Sequence, residues 1–192
     1  MSVLKEPVPV APSFSIFSAD TSLIESVIEV IEERFSPILI KSEIFPFNQT
    51  KYYEKEMGEG LKKIFIVLER LISPIFLVDF KHWAFDFERR YMEQGNRKIN
   101  IDPGLLSSER LILATGKNYT HRIYIGRGVW TDLTLIFQKG SFRVLPWTYP
   151  DYATQFSIDF WNNARQLYLD ILRYGSKGKA YVEFIPGFWP SF

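Results

Sequence analysis

Cysteine is absent from this chain of 192 residues. That excludes disulfides, thiolate nucleophiles, zinc–thiolate centres and iron–sulfur clusters. Histidine is scarce: His82 and His121 are the only two, too few and too far apart for a histidine-rich zinc site. Charge of one sign is also lacking, since 23 basic residues face 22 acidic ones. A net charge of +1 provides no global field to draw in nucleic acid or an anionic membrane, so neither is expected as a partner. No apolar run is long enough to cross a bilayer. Residues 1–13 lack the basic start and apolar centre of a signal peptide. These absences together predict a soluble, cytoplasmic protein, in keeping with the missing thiols.

Aromatic residues are plentiful: 17 Phe, 10 Tyr and 5 Trp. A chain of this size fits one domain and buries roughly 70% of its unfolded surface, so most of these rings belong in a core. Pro7, Pro9 and Pro12 mark residues 1–13 as a flexible lead. Residues 14–175 read as the domain, and residues 176–192 as an aromatic tail ending in Phe188, Trp189 and Phe192.

Within the domain, residues 14–18 read as a strand. Asp20, Thr21 and Ser22 offer helix caps, with Ser22 and Glu25 spaced as a capping box. Ile24, Val27, Ile28, Ile31 and Phe35 then recur at helical spacing until Pro37. Residues 38–45 and 63–70 read as strands, separated by a polar loop. Ser73-Pro74 opens a second helix, with Phe76, Phe80, Trp83, Ala84, Phe87 and Tyr91 on one face and Gly95 as its cap. Residues 98–102 read as a strand cut by Pro103-Gly104. This order, strand–helix–strand–strand–helix–strand, predicts a ferredoxin-like unit within an α+β fold. Residues 111–115, 121–125, 129–138 and 141–145 extend it as an antiparallel meander. A final helix capped by Thr154 carries Phe156, Phe160, Ala164, Leu167 and Ile171 on one face.

Two candidates for acid–base chemistry stand out. His121 shares a strand face with Ile123 and Ile125, which puts it at the core's rim if both isoleucines face inward. An imidazole there could transfer protons near neutral pH, or simply be held by a carboxylate or backbone group. Asp102, read as a strand end before Pro-Gly, suits either a catalytic carboxylate or ordinary turn chemistry. Asn100 points to the same side as Asp102. Lys117 and Arg122, with Lys63 on a central strand, form a set of donors of the kind that binds phosphate, or a solvated set of cations. Glu56 could support a hard divalent ion. Tyr53 and Trp147 could cover a ligand.

Thr115-Gly116-Lys117-Asn118 is not a phosphate loop, because Leu111 and Asn118 stand where Gly and Ser or Thr are required. No dinucleotide fingerprint or nucleophile elbow is present.

The stretches Glu43-Ile44-Phe45-Pro46-Phe47, residues 52–58, residues 100–104, His121-Arg122-Ile123-Tyr124 and residues 147–152 resemble an uncharacterised prokaryotic family, a domain of unknown function. The resemblance covers roughly residues 14–173. Members of that family are sometimes labelled GTP-binding proteins. The chain lacks both the phosphate loop and a guanine-reading Asn-Lys-x-Asp motif, so its residues give that label no support. The resemblance implies one compact domain and supplies no catalytic residues.

Three functions are compatible with these residues. The first is a module binding an anionic, phosphorylated or nucleotide-like small ligand through Tyr53, Glu56, Lys63, Asn100, Lys117, Arg122 and Trp147. The second is an acid–base or metal-assisted enzyme using His121 and Asp102. The third is a protein-interaction domain whose aromatic tail engages a partner or a second copy of the chain.

Overall fold

The computed structural model describes residues 3–50 and 52–175; the aromatic tail, with the self-association expected of it, lies outside the described residues. The chain opens with strand β1 (Ala11–Ser18), helix α1 (Thr21–Arg34), and strands β2 (Ile38–Lys41) and β3 (Phe45–Pro46). Helix α2 (Glu54–Met57) and strand β4 (Lys62–Leu68) follow, then a 3-10 turn (Pro74–Phe76) running into helix α3 (Leu77–Arg90). Strands β5 (Asn100–Leu106), β6 (Arg110–Thr115), β7 (Arg122–Gly126), β8 (Val129–Gln138) and β9 (Ser141–Val144) precede helix α4 (Gln155–Tyr174).

The nine described strands form one sheet in the order β2-β4-β1-β5-β6-β8-β7, with β3 on β4 and β9 on β8. All pairings are antiparallel. The α+β class, the antiparallel meander and the closing helix agree with the sequence reading. The strand and helix order of the first half is also present, interrupted by β3 and α2 in what reads as a loop.

Alternation along the strands sends side chains to two cores. Phe14, Ile16, Ile64, Ile66, Ile101 and Leu105 pack beneath α1 and α3. Phe65, Val67, Leu106, Leu111, Leu113 and Leu135 pack beneath α4. Helix α1 buries the predicted stripe Ile24, Val27, Ile28 and Ile31, each side chain contributing about 1.5–3 kcal/mol. Its cap is Asp20, whose carboxylate accepts from the backbone N–H groups of Ser22 and Leu23, rather than a Ser22–Glu25 box. In α4 the buried stripe is Ser157, Phe160, Trp161, Ala164 and Tyr168, while Phe156 is 41% exposed; the stripe is displaced from the predicted one. Gly95 does not cap α3, which ends at Arg90, but sits in the tight turn bridging Glu93 and Asn96.

Two prolines lie inside strands, against expectation. Strand β5 runs through Pro103-Gly104 instead of ending there. The N–H of Ile101 points away from β1, to the Glu88 carboxylate; by alternation the position of the missing N–H at Pro103 faces the same way. On that side β6 pairs only with Gly104, Leu105 and Leu106, so no ladder bond is lost. Pro12 lies in β1, which shortens the expected lead. Its missing N–H falls on the β4 side, between the Val10–Ile72 bridge and the first β4 pair at Ser13.

Candidate functional site

Strands β5 and β6 pair over three residues only, and towards Asn100 and Thr115 they part. Two hydrogen-bonded groups of charged residues stand on either side of this opening. The first belongs to β5, α2 and α3. Arg97 holds Glu56 in a fork, Nε to Oε1 at 2.7 Å and Nη2 to Oε2 at 2.9 Å. Its Nη1 donates to Asn100 Oδ1 at 2.7 Å and to Glu88 Oε2 at 3.4 Å. Asn100 Nδ2 donates to Asp102 Oδ2 at 2.7 Å, and Lys81 Nζ reaches Asp102 Oδ1 at 3.2 Å. The predicted common side of Asn100 and Asp102 is therefore a direct contact.

The second group belongs to β7, β8 and the loop before α4. The buried Asp132 carboxylate accepts from His121 Nε2 and from Arg122 Nε, both at 3.0 Å on the same oxygen. Arg122 also donates to the Lys117 carbonyl at 3.0 Å and to the Tyr149 hydroxyl at 2.7 Å. His121 stacks on Trp147, with ring centres 4.8 Å apart and planes at 9°. The rim position of His121 has a different origin from the expected one: Ile123 and Ile125 are 69% and 37% exposed, because β7 is an edge strand. The imidazole is held by a carboxylate and an indole instead.

Lys117 connects the two sides. Its ammonium donates to the Tyr52 hydroxyl at 3.0 Å, and the Tyr52 ring packs edge-on against Tyr53. Lys63 does not reach this surface. It is buried, with Nζ 2.6 Å from Asp151 Oδ2 and the rings of Phe47 and Tyr152 at 4.7 and 4.9 Å. His82 lies elsewhere, its Nε2 2.9 Å from the Arg127 carbonyl.

Electrostatics follow this arrangement. The Arg97 fork holds Glu56 below the usual carboxylate range, with a smaller pull from Lys117. Burial, then the Asp102 charge, pushes the Tyr53 phenol up. Tyr149 is pushed up to about 12, by burial first and then by Asp132. Both phenols therefore keep their protons at physiological pH. Burial pushes the Glu88 carboxyl above its ordinary value of 4.5, against the pull of Lys81, the Ile101 N–H and Arg97.

The sign of the Glu88 shift fixes a pH effect. A raised native value means that the fold prefers the protonated acid. Stability therefore declines as pH rises from the ordinary glutamate range to the native value, and levels off above it. Glu88→Gln keeps an acceptor for Ile101 and removes the titration. Urea midpoints measured across that range should fall less steeply in the variant than in the parent; parallel profiles would remove Glu88 as the source.

Among the described residues, no three His, Asp or Glu side chains are grouped to hold a metal ion. Several partners in these networks escaped the sequence reading. Asp132 had a signal, a charge inside a ten-residue apolar strand. Glu88 had a weaker one, lying four residues after Ala84 on the buried face of α3. Arg97 and Lys81 had none.

Residues 8–168 match the family described as Domain of unknown function (DUF4416), and the chain belongs to that family. No curated protein and no solved structure matches it. No helix among the described residues is long and apolar enough to cross a membrane.

Proposed function

We propose that this member of the family binds a small anionic ligand of the phosphate type at the opening between β5 and β6. The observation that carries this reading is the state of Lys117. Arg97, Lys81, Arg122 and Lys63 each have a carboxylate within ion-pair distance. Lys117 has none among the described residues, and its ammonium rests on a neutral phenol. It acts on Glu56 only from beyond ion-pair distance, and Glu56 is already held by Arg97, so the ammonium can take a closer counter-charge from a ligand. The Arg122 guanidinium, bonded to the Lys117 carbonyl, lies beside the same loop and adds planar donors. Tyr53, with Glu56 on the Arg97 side, supplies polar groups; Asn100, itself buried and bonded to both Arg97 and Asp102, braces them from beneath; and the His121–Trp147 stack supplies a flat wall. Lys63 acts only from beneath, through the loop that Asp151 anchors.

A specific observation favours a second reading, acid–base catalysis. His121 is oriented through Nε2 by a buried carboxylate, the arrangement that prepares an imidazole for proton transfer. Arg122 on the same oxygen opposes it, because it already neutralises Asp132. Asp102 is likewise neutralised by Lys81.

A panel of phosphorylated metabolites and nucleotides, screened by thermal shift, tests the proposal. A ligand at one hundred times its Kd adds about 2.7 kcal/mol to stability. Lys117→Ala should weaken binding about tenfold or more, equivalent to about 1.4 kcal/mol, without changing the melting temperature of the free protein. A panel that stabilises nothing, or a ligand indifferent to Lys117, sinks the reading. Product formation that His121→Ala abolishes would transfer the site to the catalytic reading.

A further inference from the structure

Four buried polar atoms have no hydrogen-bond partner among the described residues: Ser13 Oγ, Ser15 Oγ, Tyr152 OH and Trp161 Nε1. Each belongs to a residue only 1% exposed. Proteins rarely leave such groups unpaired, because a buried donor or acceptor loses its water without compensation. These four are also neighbours. The Tyr152 and Trp161 rings stack at 6.0 Å and 11°. Both pack on Phe65, at 5.0 and 5.2 Å. Phe65 is the β4 partner of Ser15, and Ser13 lies two residues along β1 on the same face. All four atoms therefore lie in the layer between the sheet and α4.

We propose that this layer is a binding site for ordered water, which bridges the two serine hydroxyls, the Tyr152 phenol and the Trp161 indole. The chemistry points to water, which donates and accepts at once. The indole N–H can only donate, so it needs an acceptor that the surrounding Phe65, Phe160 and Tyr152 rings do not offer. The Ser15 and Tyr152 hydroxyls are close enough that Ser15 offsets part of the rise that burial gives the phenol; even counted as a bond, that contact leaves the indole N–H unpaired. An internal water needs two to four polar partners, and the layer supplies four. The site sits next to the opening described above, since Ser15 faces Asp102 across the β1–β5 ladder. It does not depend on what ligand binds there.

A crystal structure at a resolution that shows ordered solvent tests the site. The expected result is water density within about 2.7–3.2 Å of Trp161 Nε1 and of at least one of the three hydroxyls. Tyr152→Phe, made and compared in a Ser15→Ala protein so that the direct hydroxyl contact cannot contribute, gives an independent reading. If water bridges the phenol, the variant melts about 2–4 °C lower, the shift that loss of one net hydrogen bond produces in a chain of this size. If the phenol is dry, removing its hydroxyl removes an unpaired group and the melting temperature holds or rises. Dry density overturns the proposal, and so does an equally or more stable Tyr152→Phe protein in the Ser15→Ala background.

Discussion

Asp151→Ala should lower the stability of this protein by about 3–5 kcal/mol, a large part of the roughly 5–15 kcal/mol that holds a domain together. The pair it breaks is buried on both sides, with the Lys63 and Asp151 side chains 5% and 4% exposed. Removing the carboxylate leaves an ammonium with three donors and no acceptor. The rings of Phe17, Phe47, Phe65 and Tyr152 lie 4.7–5.5 Å away and offset a fraction of that cost through cation–π attraction. The main-chain carbonyl of Asp151, which accepts from the hydroxyls of Thr154 and Ser157 ahead of α4, is unchanged by the substitution, so the loosening of the loop that carries Trp147 and Tyr149 comes from the lost ion pair alone. Replacing both partners gives the opposite outcome. Lys63→Met with Asp151→Leu removes both charges, and an apolar pair in such a site is neutral or stabilising. Guanidinium unfolding of the two variants checks the pair of expectations. A single variant that loses under about 1 kcal/mol would mean that water already reaches the ammonium.

What the sequence revealed followed the strength of its periodic signals. The stripe of α1 and the centre of the α3 stripe, Phe80, Trp83, Ala84 and Phe87, fall where they were read, and β8 spans the residues read for it. The ends of the α3 stripe do not, since Phe76 lies in the 3-10 turn and Tyr91 lies beyond the helix and is exposed. The polar partners were harder to see. His121 and Asp102 announced themselves by residue type, but their partners Asp132 and Lys81 are set by β7–β8 pairing and by the approach of α3 to β5, both long-range facts. Lys63 misled for the same reason. A lysine on a central strand reads as a surface cation until a carboxylate far along the chain is folded onto it. Pro103-Gly104 misled in another way, since the local rule for this dipeptide is a turn and the tertiary structure overrides it.

Gly104→Ala is expected to cost about 3 kcal/mol, the upper end of the range for overpacking. Gly104 occupies the point where three strands meet, paired with Ser13 of β1 and Leu113 of β6. A methyl group there would stand 2.6 Å from the Ile112 carbonyl oxygen, 2.8 Å from Leu113 Cδ2 and 2.9 Å from Ser13 Oγ. The closest of these is backbone in a ladder and cannot swing aside, so β5 and β6 must separate. The glycine is required by this close approach and not by an unusual dihedral, which separates it from the turn glycines such as Gly126 and Gly140 at positive φ. Separation at this point widens the opening between Asn100 and Thr115, so the variant should also disturb any ligand binding that depends on Lys117. Urea denaturation gives the stability change, and hydrogen exchange at the amides of Leu113 and Leu106 locates it. A variant as stable as the parent, with those amides equally protected, would show that the strands have room to spare and that the Pro-Gly pair is retained for some other reason.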